Sequence, residues 1–168
     1  GDECRMWYDG DVAGAAAGAA SDNASPVTGG VLGGTAAAGS ADIQRAIGAA
    51  RRAFDETDWS TNRPLRQRCL DQLRQALEAE KHELGEELVA EAGCPAMTLR
   101  NAQLDWPLAE SLRYPSRLIG EFVWERVLEG GGLFGDRNVR TVLQEPVGVV
   151  AAICPSNFPL EVALNKLG

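Results

Sequence analysis

The last two dozen residues constrain the fold of this chain more than any other stretch. Residues 145–168 read EPVGVVAAICPSNFPLEVALNKLG, in which a nearly continuous apolar run over residues 147–153 stops at Pro155 and a helical pattern resumes after Pro159. An apolar, largely β-branched run of this length is typical of a strand buried on both faces of a parallel sheet. The sequence therefore predicts a strand, a turn and a helix in this order, and such a strand needs neighbouring strands.

The composition of the chain limits the classes of partner that it can bind. Its 168 residues are 45% hydrophobic and 24% charged, as in an ordinary globular domain. The formal net charge of −8 argues against a nucleic-acid partner, because neutralising phosphates requires clustered Lys and Arg. No apolar run approaches the roughly 20 residues of a membrane helix, and no basic region precedes an apolar core near residue 1. We expect a small-molecule or subunit partner and no membrane.

The cysteines predict neither a disulfide framework nor a metal site. Four cysteines are scattered without a CxxC pair, and the only histidine, His82, lies in a charged helical stretch that is typical of a solvated face. A reduced, cytoplasmic protein is the simplest interpretation.

The first third of the chain predicts an arm followed by a helix. In residues 1–39 the turn sequences at 9–10 and 28–30 predict weak strands joined by turns, with a flexible Ala/Gly segment at 13–20. Apolar residues then recur at helical spacing over about 41–55, with Ser40 as the predicted N-cap.

Two further helical stretches follow. Residues 64–93 predict a long amphipathic helix that is broken near His82 and ends at a glycine. Residues 97–119 predict a third helix, kinked at Pro107 and disturbed near its end by Pro115.

Several smaller predictions concern aromatic and glycine-rich positions. Trp106 and Tyr114 are expected in the core. Residues 130–135 fit the GxGxxG spacing but precede a strand-like segment at 138–143, so a hairpin or connecting turn is favoured over a phosphate-binding loop.

The residues after the predicted strand are the candidates for chemistry. Cys154 lies at the mouth of this strand but has no evident base, so a small buried apolar role is favoured over a nucleophile. Asn157 lies in a loop bounded by Pro155 and Pro159, where its amide could donate a hydrogen bond to a developing oxyanion. A turn asparagine that bonds its own backbone is the plainer alternative.

The same stretch resembles the aldehyde dehydrogenase superfamily. Residues 145–150 (EPVGVV), 155–159 (PSNFP) and 165–168 (NKLG) resemble the family segments written EPVGV, PWNFP and KLG, and they occur at the family's mutual spacing. The resemblance is strongest at this end of the chain.

Looser similarity extends upstream. Residues 8–10, 28–33 and 49–54 resemble the family's N-terminal arm and first helix. Residues 91–95 (EAGCP) resemble its E-x-G-K-P element, with Cys94 in place of the usual lysine. The resemblance covers nearly the whole chain.

The resemblance implies a truncated α/β fold, with an N-terminal helical layer and the start of a Rossmann-like NAD(P)-binding domain of the aldehyde dehydrogenase fold. It divides the chain into an extended arm (1–39), the helical part of the cofactor-binding domain (40–120), a connecting and oligomerisation hairpin (121–146), and the first Rossmann strand, the oxyanion and cofactor turn and the start of a helix (147–168).

The implied activity is NAD- or NADP-dependent oxidation of an aldehyde to a carboxylic acid. In this family a cysteine thiolate adds to the aldehyde, a loop asparagine holds the oxyanion, hydride passes to the nicotinamide, and a glutamate-activated water releases the acid. By this resemblance Asn157 is the oxyanion donor and Lys166 matches a lysine implicated in proton relay. The positions that line the cofactor cleft are Ile153, Cys154, Pro155 and Ser156. The implied partners are a small aldehyde and further copies of the chain, in a dimer or tetramer.

Departures from the family pattern leave alternatives open. Ser156 replaces a common tryptophan, and Asn165 replaces an aromatic residue that lines the substrate tunnel in many members, so the aldehyde stays open. The family's catalytic cysteine, general base and cofactor-ribose lysine lie downstream of the segment that matches Gly168. We therefore expect an N-terminal fragment that is inactive by itself. The alternatives are a non-catalytic helical interaction module and a small thiol enzyme that uses Cys154.

Overall fold

The N-terminal arm consists of two β-hairpins. The structure, a computed structural model, describes residues 4–130 and 138–168. Strands β1 (Met6–Tyr8) and β2 (Asp11–Ala13) pair antiparallel, and β3 (Ala20–Ala24) pairs with β4 (Val31–Ala36). Asp9 and Gly10 have φ of 57° and 83°, as the tight turn of the first hairpin requires. Both predicted turns are therefore confirmed.

Helix α1 spans Ser40–Glu56, close to its predicted bounds, but its N-cap is Gly39. The prediction of Ser40 as N-cap is wrong, because Ser40 is already helical. The Gly39 N–H donates instead to the carboxylate of Asp42, at 3.0 Å. Asp42 thus accepts from the N-cap N–H, as the acidic third residue of a capping box does.

The predicted long helix is two helices, α2 (Arg63–Ala79) and α3 (Lys81–Ala92), broken at Glu80 as expected. The side chain of Asn62 accepts a hydrogen bond from Leu65 N–H at 2.9 Å and caps α2. Helix α3 ends at Gly93, which has φ of 62°.

The third helical stretch contains two π-helical segments. A short helix α4 (Ala96–Thr98) leads into the first π segment (Leu99–Gln103), and the second π segment (Pro107–Ser111) leads into α5 (Arg113–Glu121). The helical pattern is irregular around Pro107, where the second π segment begins, while the predicted kink itself stays a prediction. The expected disturbance by Pro115 is not observed. Pro115 lies in the first turn of α5, where no intrahelical donor is lost.

Two expected core aromatics lie at the surface. Trp106 is 60% exposed and Tyr114 is 56% exposed, so this prediction is wrong. Leucines at four-residue spacing bury the inner face of the stretch instead, and both aromatics lie off that face. These leucines belong to a core made by Leu88, Cys94, Leu104, Leu108, Leu112 and Leu164.

The chain closes with a third hairpin, a long connection and a final helix. Strands β5 (Glu125–Leu128) and β6 (Arg140–Leu143) pair antiparallel, in agreement with the strand expected at 138–143. The glycine-rich turn predicted at 130–135 falls almost wholly outside the described residues. Helix α6 spans Pro159–Leu167.

The predicted buried strand at 147–153 is not formed. Within the described part of the chain no strand includes or pairs with these residues, and Val147 and Ile153 are 89% and 87% exposed. A strand of this composition is stable only when neighbouring strands pair with its edges and other elements cover both its faces, and none of the three hairpins pairs with it. The segment has the apolar sequence of a buried strand, but among the described residues no strand pairs with it.

Candidate oxyanion and cofactor loop

Helix α6 holds the candidate loop against the helical core. Leu164 is 3% exposed and packs with the core leucines, and Leu160 packs against the same cluster. At the other end of the helix, a methyl group added to Gly168 would collide with Pro115 and come within 3.0 Å of the Ser111 carbonyl oxygen. This close packing fixes where α6 begins, and therefore where the preceding loop ends.

Asn157 lies immediately before the N-cap of α6. Phe158 is the N-cap, its carbonyl accepts a hydrogen bond from Val162 N–H at 3.1 Å, and Pro159 is the first helical residue. The side chain of Asn157 is exposed and makes no hydrogen bond to another described residue. The plainer interpretation, an asparagine bonded to its own turn, is therefore not observed, and the amide is available to a ligand.

Cys154 is exposed, which contradicts the expected burial. The physical reason is the missing strand, since the end of an unpaired segment has no sheet to bury it. No described residue donates to or accepts from its thiol. His82 lies on α3 with its side chain 84% exposed, 3.5 Å from the Glu86 carboxylate, as predicted for a solvated face. The structure thus brings no histidine to Cys154.

The other cofactor-cleft candidates share this exposure. Ile153, Pro155 and Ser156 are all exposed, with backbone groups that make no hydrogen bond to another described residue. Among the described residues no cluster of His, Cys, Asp or Glu could hold a metal ion.

Lys166 is not adjacent to Asn157. It lies in the last turn of α6, where a cation complements the helix dipole, and its side chain is exposed. At 1.5 Å of rise per residue, it stands about 10 Å along the helix axis from Pro159. No hydrogen bond joins Lys166 to Asn157 or to any other described residue through its side chain.

One contact of this segment was missed by sequence reasoning. Gly148 has φ of 100°, and a methyl group added there would lie 3.2 Å from Nη1 of Arg51 on α1. The glycine in EPVGV was a usable signal, because a glycine inside an apolar run often marks a close approach.

Comparison with known proteins identifies the family. The model of the aldehyde dehydrogenase family matches residues 14–168. The chain belongs to this family. It is 35% identical over 133 residues to the putative aldehyde dehydrogenase DhaS of Bacillus subtilis, covering 78% of this chain and 26% of that protein. It is 32% identical over 169 residues to the NADP/NAD-dependent aldehyde dehydrogenase PuuC of Escherichia coli, covering 99% of this chain and 32% of PuuC.

Solved structures of aldehyde dehydrogenases share this fold. The indole-3-acetaldehyde dehydrogenase AldA of P. syringae, in complex with NAD⁺ and IAA, matches with a TM-score of 0.87 and 32% identity, over 98% of this chain and 32% of that one. The NAD⁺ complex of a Mycobacterium tuberculosis aldehyde dehydrogenase matches with a TM-score of 0.86 and 27% identity, over 98% of this chain and 33% of that one. The family and α/β fold expected from the sequence are confirmed. The chain spans about a quarter to a third of the length of these relatives, as the expectation of a fragment requires.

Within the described residues, no helix is long and apolar enough to cross a membrane.

Proposed function

We propose that this chain forms the N-terminal part of an NAD(P)-dependent aldehyde dehydrogenase, and that it supplies the oxyanion donor and one wall of the cofactor cleft. The observation that carries the proposal is the family match over residues 14–168, together with an exposed Asn157 amide just before the N-cap of α6 that bonds no other described residue. Relatives that bind NAD⁺ support the choice of cofactor.

In the proposed reaction Asn157 donates a hydrogen bond from its side-chain amide to the oxyanion that forms when a thiolate adds to the aldehyde carbonyl. An uncharged donor that is already positioned stabilises this charge without reorganisation. Ile153, Cys154, Pro155 and Ser156 flank the nicotinamide, and Ile153 excludes water from its face. NAD(P), when bound, supplies the hydride acceptor. Lys166, in the last turn of α6 and not adjacent to Asn157, stays a candidate for proton relay.

This assignment predicts a defined loss when Asn157 is changed in a complete enzyme that contains this chain. Asn157→Ala should lower kcat by about 10²- to 10³-fold, the usual cost of one oxyanion donor, with little change in cofactor affinity. Asn101→Ala, at an exposed position of the first π segment, is the matched control and should retain most of kcat. Equal losses in both variants would refute a specific role for Asn157.

The 168-residue chain is proposed to be inactive by itself, because in this family the nucleophile and general base lie downstream of the matched segment. Incubation with NAD⁺ or NADP⁺ and straight-chain, aromatic or amino aldehydes should give no reduced cofactor. Robust turnover that Cys154→Ala abolishes would contradict this and favour the thiol-enzyme alternative.

A non-catalytic interaction module is the second candidate. It predicts that α1–α6 unfold cooperatively as a soluble monomer, whereas the enzyme part should associate through its exposed apolar segments.

The proposed assembly is a dimer or tetramer formed through the β5–β6 hairpin. A cytoplasmic location is proposed from the four unpaired cysteines.

A further inference from the structure

The segment that carries the candidate loop is held by very few interactions. Residues 145–157 make no hydrogen bond to another described residue, although both flanks are fixed. Upstream, Gln144 N–H donates to the Trp124 carbonyl at 2.9 Å, and downstream α6 packs on the core. A chain of this length without hydrogen bonds has wide conformational freedom unless another contact restricts it.

Gly148 makes such a contact. Its φ of 100° lies in a region that side chains rarely adopt, and its open side faces Nη1 of Arg51, 3.2 Å from where a methyl group would lie. A Cβ at position 148 would crowd the guanidinium, and a φ of 100° would strain any residue other than glycine, so glycine suits this close approach. The segment therefore bends at Gly148 over the C-terminal half of α1.

Arg51 is itself restrained on α1. Its Nε donates to Asp55 Oδ2 at 2.7 Å, and its Nη2 donates to the other oxygen of the same carboxylate. Its guanidinium carbon lies 4.4 Å from the ring centroid of Phe54. A planar cation held by a two-point carboxylate contact and an aromatic face loses most of its rotamer freedom and offers a defined edge to Gly148.

We propose that Arg51 is a positioning residue that sets the path of residues 148–157 and, through it, the place of Asn157. With the bend fixed at Gly148 and α6 fixed on the core, the ten residues between them are restrained at both ends. Releasing the bend leaves one end free, and the Asn157 amide then samples a wider volume. The value of this for catalysis rests on the proposed function, whereas the path of the segment can be measured without it.

The neighbouring Arg52 provides a matched control. It is half-exposed like Arg51 and makes an ion pair with Asp9 of the first hairpin at 2.7 Å, away from Gly148. Arg51→Ala and Arg52→Ala therefore remove the same charge and the same side chain from adjacent positions of one helix. Only Arg51→Ala removes the contact with the segment.

The test uses ¹⁵N NMR of the 168-residue chain. In Arg51→Ala the backbone amide signals of residues 148–157, except Pro155, and the side-chain amide of Asn157 should shift, and their heteronuclear NOE values should fall toward those of a free chain. Arg52→Ala should leave these signals in place and move those around Asp9. Arg51→Lys, which keeps the charge without the planar fork, should restore only part of the wild-type pattern.

Several results would overturn the proposal. One is a set of segment signals in Arg51→Ala that coincide with those of Arg52→Ala, and another is a wild-type segment that already has the NOE values of a free chain. If Arg51→Ala does not fold, Asp55→Asn loosens the guanidinium while keeping it, and unchanged segment signals there would refute the role. Failure of the proposed function is distinguishable, because Asn157→Ala would then leave kcat unaltered while the segment still depends on Arg51.

Discussion

At the scale of single residues, Asp42 joins three parts of the chain through one buried carboxylate. It accepts hydrogen bonds from Ala16 N–H at 3.1 and 3.2 Å, from Gly39 N–H at 3.0 Å and from Arg45 at 2.6 Å. The residue is 2% exposed. The loop between the two N-terminal hairpins is thereby attached to the first turn of α1, since a buried carboxylate is tolerated only when donors surround it.

Asp42→Asn is predicted to lower the thermal midpoint and to flatten its dependence on acid pH. The Gly39 N–H, opposed by burial and assisted by Ala16 and Arg45, holds the pKa of Asp42 below its ordinary value. Because the folded pKa is the lower one, the stabilisation is complete above the unfolded pKa of about 4 and is lost as pH falls through the folded pKa. Thermal unfolding between about pH 6 and 3 measures this window.

Asp22→Asn is the control for this prediction, because Asp22 is exposed on β3 without an ion pair among the described residues. Its midpoint should follow the wild-type pH curve. A variant at Asp42 whose pH curve also matches wild type would show that the carboxylate does not hold the arm.

The residues of the candidate site illustrate what local sequence can and cannot predict. Asn157 was recognisable because two prolines bound its loop and the flanking motif resembles a family. The exposure of Cys154 could not be predicted from the local sequence, because its burial depends on strands that do not pair with its segment. The Arg51 contact joins positions nearly one hundred residues apart, and no local pattern specifies such a pair.

At the scale of elements, the helices were predictable and their junctions were less so. Apolar spacing and caps placed α1, α2 and α3 within a few residues of their bounds. The two π segments had no comparable signal beyond Pro107, because an inserted residue in a helix is decided by packing against neighbours. The π segments also change which residues of this stretch face the core, and Trp106 and Tyr114 therefore lie at the surface.

Gly93 joins two elements, and Gly93→Ala is predicted to destabilise the chain by about 1–2 kcal/mol. It ends α3 with φ of 62°, and an added methyl group would lie 3.1 Å from Pro26 Cγ and 3.2 Å from Val27 Cγ2 in the β3–β4 turn. Both the left-handed backbone and the docked turn resist a side chain. Urea unfolding at fixed pH measures the change.

Gly120→Ala is the matched substitution. Gly120 lies within α5, and nothing is within 4 Å of the added methyl group. Alanine should raise stability there by up to about 1 kcal/mol, since glycine is the poorer helix former. Two variants that change stability in the same direction would contradict the different roles given to these glycines.

At the scale of the whole molecule, the helical layer has a core of its own while the closing segment does not. The core leucines come from α3, from the π segments and the residues directly after them, and from α6, so α6 belongs to the layer although its preceding segment is uncovered. Val147, Val150 and Ile153 are 89%, 69% and 87% exposed. An apolar segment with unpaired backbone groups is a template for pairing with another chain.

This exposure predicts concentration-dependent self-association that Ile153→Lys reduces. A lysine there places a charge in the apolar segment, and a paired strand would have to bury or solvate it. Met97→Lys adds the same charge at a residue that is 78% exposed and distant in sequence, so it should associate like wild type. Sedimentation velocity over a range of concentrations compares the three proteins. Equal reduction of self-association in both variants would indicate that net charge governs it. No reduction in either variant would place the contact elsewhere, and the β5–β6 hairpin would be the next surface to alter.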